Sequence, residues 1–392
     1  MNAKTILLGL MGLLTTGSLD ASAQETDPQS PPAATASTPA ERARTWTLGF
    51  IDFSGFVDGY YNFNNNHPET KSYGNQLHYF DLDADTFTLS MARITLSHDP
   101  APIGFHLDLG FGKGYEAFLA ADSTSFSHLE QAYVSVKPKG ARGFEADFGS
   151  FVTSAGAELT EAKDNWNYSR SFLYAFGPFY HIGLRTSMPI TESFTAGVQV
   201  VNGWNNYVDN NSGKTIGITT VLTKPKFSFA GNYYGGPENA NTNKGYRNYF
   251  DSVLTLTPSS KLSAYIEYDY WQNRNAAETT PAKYVTTSLD HIQGIATAAR
   301  FQATPKIAFA GRYEYVADKS DAGGSLATAS RQNLNEFTIT GEYKFYEGIL
   351  TRLEYRRDSS DIPYFNKGVN KASVNNQSTL EVGVIAFFGS KH

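Results

Sequence analysis

At 392 residues the chain is too long for one small domain, and 27 Phe, 24 Tyr and 34 Gly beside only 41% hydrophobic residues favour β structure. A net charge of −6 leaves no basic field to meet phosphates, which excludes a nucleic-acid partner. The absence of Cys excludes disulfides.

The first 23 residues combine a basic start, "MNAK", an apolar run, "TILLGLMGLL", and small residues, "ASA", before Gln24. This is the pattern of a secretory signal peptide, too short to span a bilayer as a helix. Residues 24–44 are rich in Pro, Ala, Ser and Thr and carry no aromatic side chain, which predicts a disordered linker. From residue 45 to 392 the texture is uniform and predicts one domain.

Within that domain apolar and polar residues alternate with period 2, the mark of strands with two unlike faces. In "LSAYIEYDY", Leu262, Ala264, Ile266, Tyr268 and Tyr270 share one face and Tyr265, Glu267 and Asp269 the other. The pattern recurs in "IAFAGRYEY", "ILTRLEYRRD", "FHLDLGFG" and "YHIGLR". In "TFTLSMARITL" the phase changes between Met91 and Ile94, which predicts a bulge near Arg93.

Sixteen such segments are expected: 47–63, 86–97, 103–112, 128–137, 143–150, 179–188, 193–201, 214–222, 226–234, 248–257, 261–270, 292–303, 306–316, 334–345, 349–358 and 378–388. Their connections alternate between short and long. The short ones, such as "PITE", "KP" and "EG", are mostly built on Pro, and the long ones are rich in Asn, Asp, Gly and Ser. An even strand number with loops sorted by length to two ends places both chain ends on the tight-turn side.

A soluble β-sandwich has no reason to sort its loops in this way. A membrane barrel does, because lipid cannot satisfy open strand edges, so the sheet closes, apolar outside and wet inside. Tyr233, Tyr234, Tyr249, Phe250, Tyr268 and Tyr270 near strand ends fit an aromatic girdle. The expected fold is an all-β, transmembrane, antiparallel up-and-down β-barrel of about 16 strands, whose size leaves an aqueous lumen. Outer-membrane lipid and small hydrophilic solutes are its expected partners.

The stretches "GAELTEAKDNWNYSRSFLYAFGPFYHIGLR", "VVNGWNNYVDNN" and "NYYGGPEN" followed by "YRNYFD" resemble motifs of the OmpL-like beta-barrel porin-2 family. The resemblance covers most of residues 46–388 and implies a bacterial outer-membrane diffusion channel without enzymatic activity or cofactor. Barrels of this kind typically end on an aromatic residue, whereas here Phe387 and Phe388 are followed by "GSKH". Trimers are common among 16-stranded porins, so a homotrimer is a candidate assembly.

By order and length the third long loop, 151–178, resembles the loop that folds into the lumen of general porins and narrows it. Its Glu158, Glu161 and Asp164, with Arg170, would then face Arg185, Arg312, Arg352 and Arg356 on the opposite wall. Opposed charges across a gap set ion preference, here mildly for cations. Trp166 and Tyr168 offer a stacking surface for sugar rings, which would suit a carbohydrate- or peptide-selective channel. A barrel adhesin or enzyme is the remaining alternative.

Other signals carry less. Glu267 and Asp269, two apart on one face, are what a charged lumen wall contains rather than an acid and base pair. "DNNSGK" at 209–214 lacks the closing Glu of a calcium loop and reads as a turn. His181 and Ser187 do not form a lipase pair with a nucleophile elbow, and the eight His show no metal-ligand spacing. No metal site is expected.

Overall fold

The computed structural model describes residues 46–120, 126–320, 331–368 and 372–389, so the expected signal peptide and linker lie outside the described residues. Trp46–Leu48 (β1) folds back on Ile51–Asn64 (β2), splitting the expected first strand in two. The wall continues through Thr86–His98 (β3), Ile103–Phe111 (β4), Leu129–Val136 (β5), Glu145–Val152 (β6), Tyr180–Thr191 (β7) and Phe194–Val201 (β8). Thr215–Lys224 (β9), Phe227–Gly236 (β10), Arg247–Ser259 (β11), Leu262–Thr280 (β12) and Lys283–Gln302 (β13) follow. Ile307–Asp318 (β14), Gln332–Tyr346 (β15) and Ile349–Ser360 (β16) complete the series, and a small hairpin, Phe365–Lys367 (β17) with Ala372–Val374 (β18), precedes Asn376–Phe388 (β19).

Each wall strand pairs antiparallel with its neighbour in the chain, and β19 pairs antiparallel with β2, from Thr379 opposite Asn64 to Phe388 opposite Gly55. That pairing closes an antiparallel barrel of 16 strands, β2 to β16 and β19. Closure removes every edge, which is the condition for a sheet to stand in lipid. The tight side includes a two-residue turn at Glu347 and Gly348, where φ is +78° and a Cβ would meet the Phe387 carbonyl at 2.3 Å. Only glycine fits there.

The alternation is realised as two faces. Outward apolar side chains such as Phe87, Phe148, Ile218, Phe309, Leu353 and Val382 are exposed. Inward polar ones such as Asp108, Glu130, Glu267, Arg312, Glu336, Arg356 and Glu381 are buried. A soluble protein would reverse this, and a bilayer requires it.

The structure differs from the sequence expectations in three further places. The phase change in β3 arises at Ser90, because Asp58 opposes Met91 and Gly59 opposes Leu89, leaving Ser90 as the extra residue three positions before Arg93. The expected loop 271–291 is instead strand, since β12 and β13 run on to Thr280 and Lys283. Tyr234 and Tyr249 are buried on the inner face and take no part in an outer girdle, because they share strand parity with the buried Asn232 and Asp251.

The long loops carry short helices. Lys113–Phe118 (α1) follows β4, and the loop after β6 holds a 3-10 turn, Ala162–Asp164, and Phe172–Phe176 (α2). Ser171 caps α2 by accepting from the Tyr174 N–H at 2.9 Å. Phe172 and Leu173 enter an apolar cluster with Val253, Tyr265, Ala296, Val316 and Leu334 from β11 to β15. Burial of two such side chains contributes roughly 1.5–3 kcal/mol each.

Candidate functional site

The loop 153–179 leaves the wall at β6 and returns at β7, yet its bonds lie with strands far around the barrel. Alternation puts Arg312, Glu314, Glu336, Arg352, Glu354, Arg356 and Asp358 on the inner face of β14, β15 and β16. Glu354 accepts from the backbone N–H groups of Tyr168 (2.6 Å) and Ser169 (2.9 Å), and Glu314 accepts from Phe172 N–H (2.6 Å). Arg352 donates to the carbonyls of Ala162 (2.5 Å), Asn165 (2.5 Å) and Asn167 (3.0 Å). Arg356 donates to the Arg170 carbonyl at 2.7 Å, and Arg312 to that of Ser169 at 2.8 Å. Wall carboxylates therefore hold the loop's N–H groups and wall guanidinium groups its carbonyls, the charge-assisted class of bond.

Of the loop acids and wall arginines named from the sequence, Glu158 and Arg312 come together. Glu158 binds Arg312 at 2.5 Å, as the opposed-wall reading anticipates, and also accepts from Ser171 N–H at 2.6 Å. Glu161 pairs instead with Arg93 on β3, whose guanidinium also meets Glu130 at 3.1 Å and Asp108 at 3.6 Å. Asp164 pairs with the adjacent Lys163 at 2.5 Å. Arg352 and Arg356 hold loop carbonyls rather than loop acids, and their carboxylate partners are wall residues, Glu342 (2.8 Å) and Asp358 (2.8 Å). These groups are in contact, so the expected open gap between loop acids and wall arginines is occupied by direct bonds.

Arg185 departs from its expected place. It donates to Asp147 on the neighbouring β6 at 2.7 Å, and its guanidinium covers the rings of Tyr133 (4.9 Å) and Phe151 (4.6 Å). A partner on the next strand is shorter-range and pre-aligned by the sheet, so it wins over a loop acid. Arg170 is buried, donates to the carbonyls of Thr160 and Tyr168, and lies 5.1 Å from the Phe80 ring.

The expected sugar-stacking pair presents little surface. Tyr168 is 1% exposed and packs edge-on against Tyr60 at 5.9 Å, while Trp166 is tilted against Tyr265 at 5.3 Å. Both rings pack on the wall, where apolar area leaves water, and Tyr168 has no free face for a solute.

Residues the sequence reading did not single out complete the frame. Glu314 and Glu354 share strand parity with the arginines, and Glu336 alternates with the outward Phe337 on β15, so all three were findable from the pattern. The first long loop, residues 65–85, also turns to the wall: His78 bridges Asp81 of its own loop and Asp358 on β16, the latter at 3.1 Å. Burial disfavours the His78 imidazolium, but the Asp81 carboxylate and the Asp358 hydrogen bond outweigh that and raise its pKa above the ordinary value. Leu77 of the same loop accepts from Arg356 at 3.3 Å.

A comparison with curated proteins finds no match in sequence. Among solved structures, the chain is similar to OmpT of Vibrio cholerae in its trimer form, with TM-score 0.57 and 12% identity over 87% of this chain and 100% of that one. It is similar to the outer membrane channel DcaP of Acinetobacter baumannii, with TM-score 0.55 and 13% identity over 86% and 96%. An anion-selective porin from Comamonas acidovorans gives TM-score 0.55 and 11% identity over 86% and 99%. At these identities the likeness establishes the porin-type barrel fold and no solute. The sequence itself matches a family model over residues 50–388, which is nearly all of the barrel. The chain thus belongs to the beta-barrel porin-2, OmpL-like family, a family of outer-membrane barrel porins.

Proposed function

We propose that the chain forms a channel for passive diffusion of small hydrophilic solutes across the outer membrane, with the loop 151–178 folded into the bore as its constriction. The observation that carries this reading is the row of bonds from Arg312, Glu314, Arg352, Glu354 and Arg356 to the loop backbone. Glu158, Glu161, Asp164 and Arg170 then belong to the frame that fixes the aperture. No covalent chemistry is needed for this role.

A mild cation preference is supported by the surplus of acids on the inner face. Asp58, Asp251, Glu267, Asp269 and Glu381 are buried there and make no ion pair among the described residues. An inner wall of this sign favours cations at low ionic strength. Residues 1–23 serve as the export signal, residues 24–44 as a linker, and both chain ends face the periplasm in this reading. Homotrimeric assembly is proposed by analogy with the trimer form of the Vibrio cholerae protein.

Planar-bilayer recording tests the proposal. Stepwise conductance, with a reversal potential of cation-selective sign in a salt gradient, is the expected result. Block by one sugar or peptide would favour a solute-selective channel, and no conductance from a correctly folded barrel would overturn the reading.

A further inference from the structure

On the inner face of β11 and β12 three acids converge without a base. Asp251 and Asp269 are direct cross-strand partners, and Glu267 lies two residues before Asp269 on the same face. Like charges directly opposite across a sheet repel, and here all three carboxyl groups are almost wholly buried. No Lys or Arg among the described residues pairs with any of them.

The hydrogen bonds of the three are half complete. Asn232 donates to one oxygen of Asp251 at 2.6 Å, and Tyr249 donates to one oxygen of Asp269 at 2.8 Å. The second oxygens, Asp251 Oδ2 and Asp269 Oδ1, together with Glu267 Oε2, are buried and have no well-formed hydrogen bond of their own, although the loop N–H groups of Gly156 and Ala157 approach Asp251 and Glu267 and the Asp251 and Asp269 carboxyls approach each other. Such orphaned oxygens are costly in a site closed to water. The third loop roofs the cluster: the Ser154 carbonyl accepts from the same Asn232 at 3.0 Å, and a Cβ on Gly156 would stand 3.5 Å from Glu267 Oε1.

Ligand oxygens of the three acids all lie within 4.8 Å of one another. Two oxygens bound to one calcium ion at about 2.3–2.6 Å can be no further apart than about 5 Å, and the spacing of the three acids meets that condition for one shared ion. An all-oxygen, carboxylate-rich set selects a hard cation over zinc or copper. We propose that Asp251, Glu267 and Asp269 bind one divalent hard cation, Ca²⁺ in preference to Mg²⁺. Mg²⁺ is disfavoured because it gives up its waters reluctantly and this pocket is buried. The ion neutralises the like-charge cross-strand pair and strengthens the seat of the third loop on the wall.

The test uses the full chain refolded in detergent without bacterial lipid, so that no lipid phosphate offers a second site. After chelator treatment and its removal, calorimetric titration with CaCl₂ at pH 7.5 should give one site per chain, with a dissociation constant of about 1 mM or tighter. MgCl₂ should bind at least tenfold more weakly. Asp251→Asn with Asp269→Asn, and separately Glu267→Gln, should each weaken Ca²⁺ binding at least tenfold, while Glu381→Gln, an acid elsewhere on the inner face, should not. Folding of each variant is read from heat-modifiable gel mobility, and if the double variant fails to fold, Glu267→Gln decides. Absence of Ca²⁺ binding to the folded wild type, the result expected if the three acids share protons instead, overturns the proposal. So does binding that the variants leave unchanged.

Discussion

Arg312 on β14 and Glu158 on the third long loop, 154 residues apart, meet at 2.5 Å with both side chains almost wholly out of water. Glu336 and Glu314 approach the same guanidinium at 3.0 and 3.2 Å. One cation thus lies among three acids and offsets part of their mutual repulsion, and removing it leaves them facing one another. Arg312→Gln should cost about 3–5 kcal/mol, the range for breaking a buried ion pair from one side. Urea unfolding in lipid vesicles measures it. In a double-mutant cycle with Glu158→Gln the coupling should reach about 1 kcal/mol or more, and strictly additive effects would show that the pair does not anchor the loop.

Glu354 is the acceptor for two consecutive loop N–H groups and for the Thr340 hydroxyl at 2.7 Å. Glu354→Ala orphans these donors at about 1–3 kcal/mol each where they stay buried. The loop should respond by loosening, seen as higher single-channel conductance with more open-channel noise and as new protease cleavage within residues 151–178. Wild-type conductance together with wild-type protease resistance would mean that other contacts suffice to seat the loop.

His78 sets a pH dependence whose sign follows from its environment. Burial lowers its pKa, but Asp81 outweighs that and the pKa in the folded protein is raised, while that of Asp81 is lowered, so both shifts favour the charged form of the bridge. A raised histidine stabilises fully below its unfolded value of about 6.5 and loses that contribution as pH climbs through the folded value. The stability advantage of wild type over His78→Gln should therefore shrink as pH rises above about 6.5. Urea midpoints of both proteins across that range measure it, and an advantage that grows with pH would contradict the assigned bridge.

Much of this was legible in the residues because lipid imposes a simple rule on every strand. The parity of Arg312, Arg352 and Arg356 against Ile307, Leu353 and Tyr355 identifies the inner face without any coordinates. Tyr234 and Tyr249 were misplaced by reading their nearness to strand ends instead of the same parity. Which acid meets which arginine was not legible, since those contacts depend on how closure brings β14 and β16 opposite a loop that leaves from β6. The pairing of Glu161 with Arg93 depends further on the extra residue at Ser90, which resets the phase of β3.

Gly383 on β19 leaves room for the loop. A Cβ there would stand 2.3 Å from the Tyr168 ring, which fills the space between β19 and Tyr60. Its backbone is ordinary strand, so the requirement is for space rather than for a left-handed turn. Gly383→Ala should then cost about 1–3 kcal/mol by overpacking and push Tyr168 from its seat. The cost should vanish when Tyr168→Ala is already present, although that second change carries its own penalty of about 3–5 kcal/mol for a deleted buried ring. Thermal unfolding of the two single variants and the double one completes the cycle. If Gly383→Ala costs the same in both backgrounds, Tyr168 does not occupy the inner face at β19, and the seating of the third loop must be redrawn.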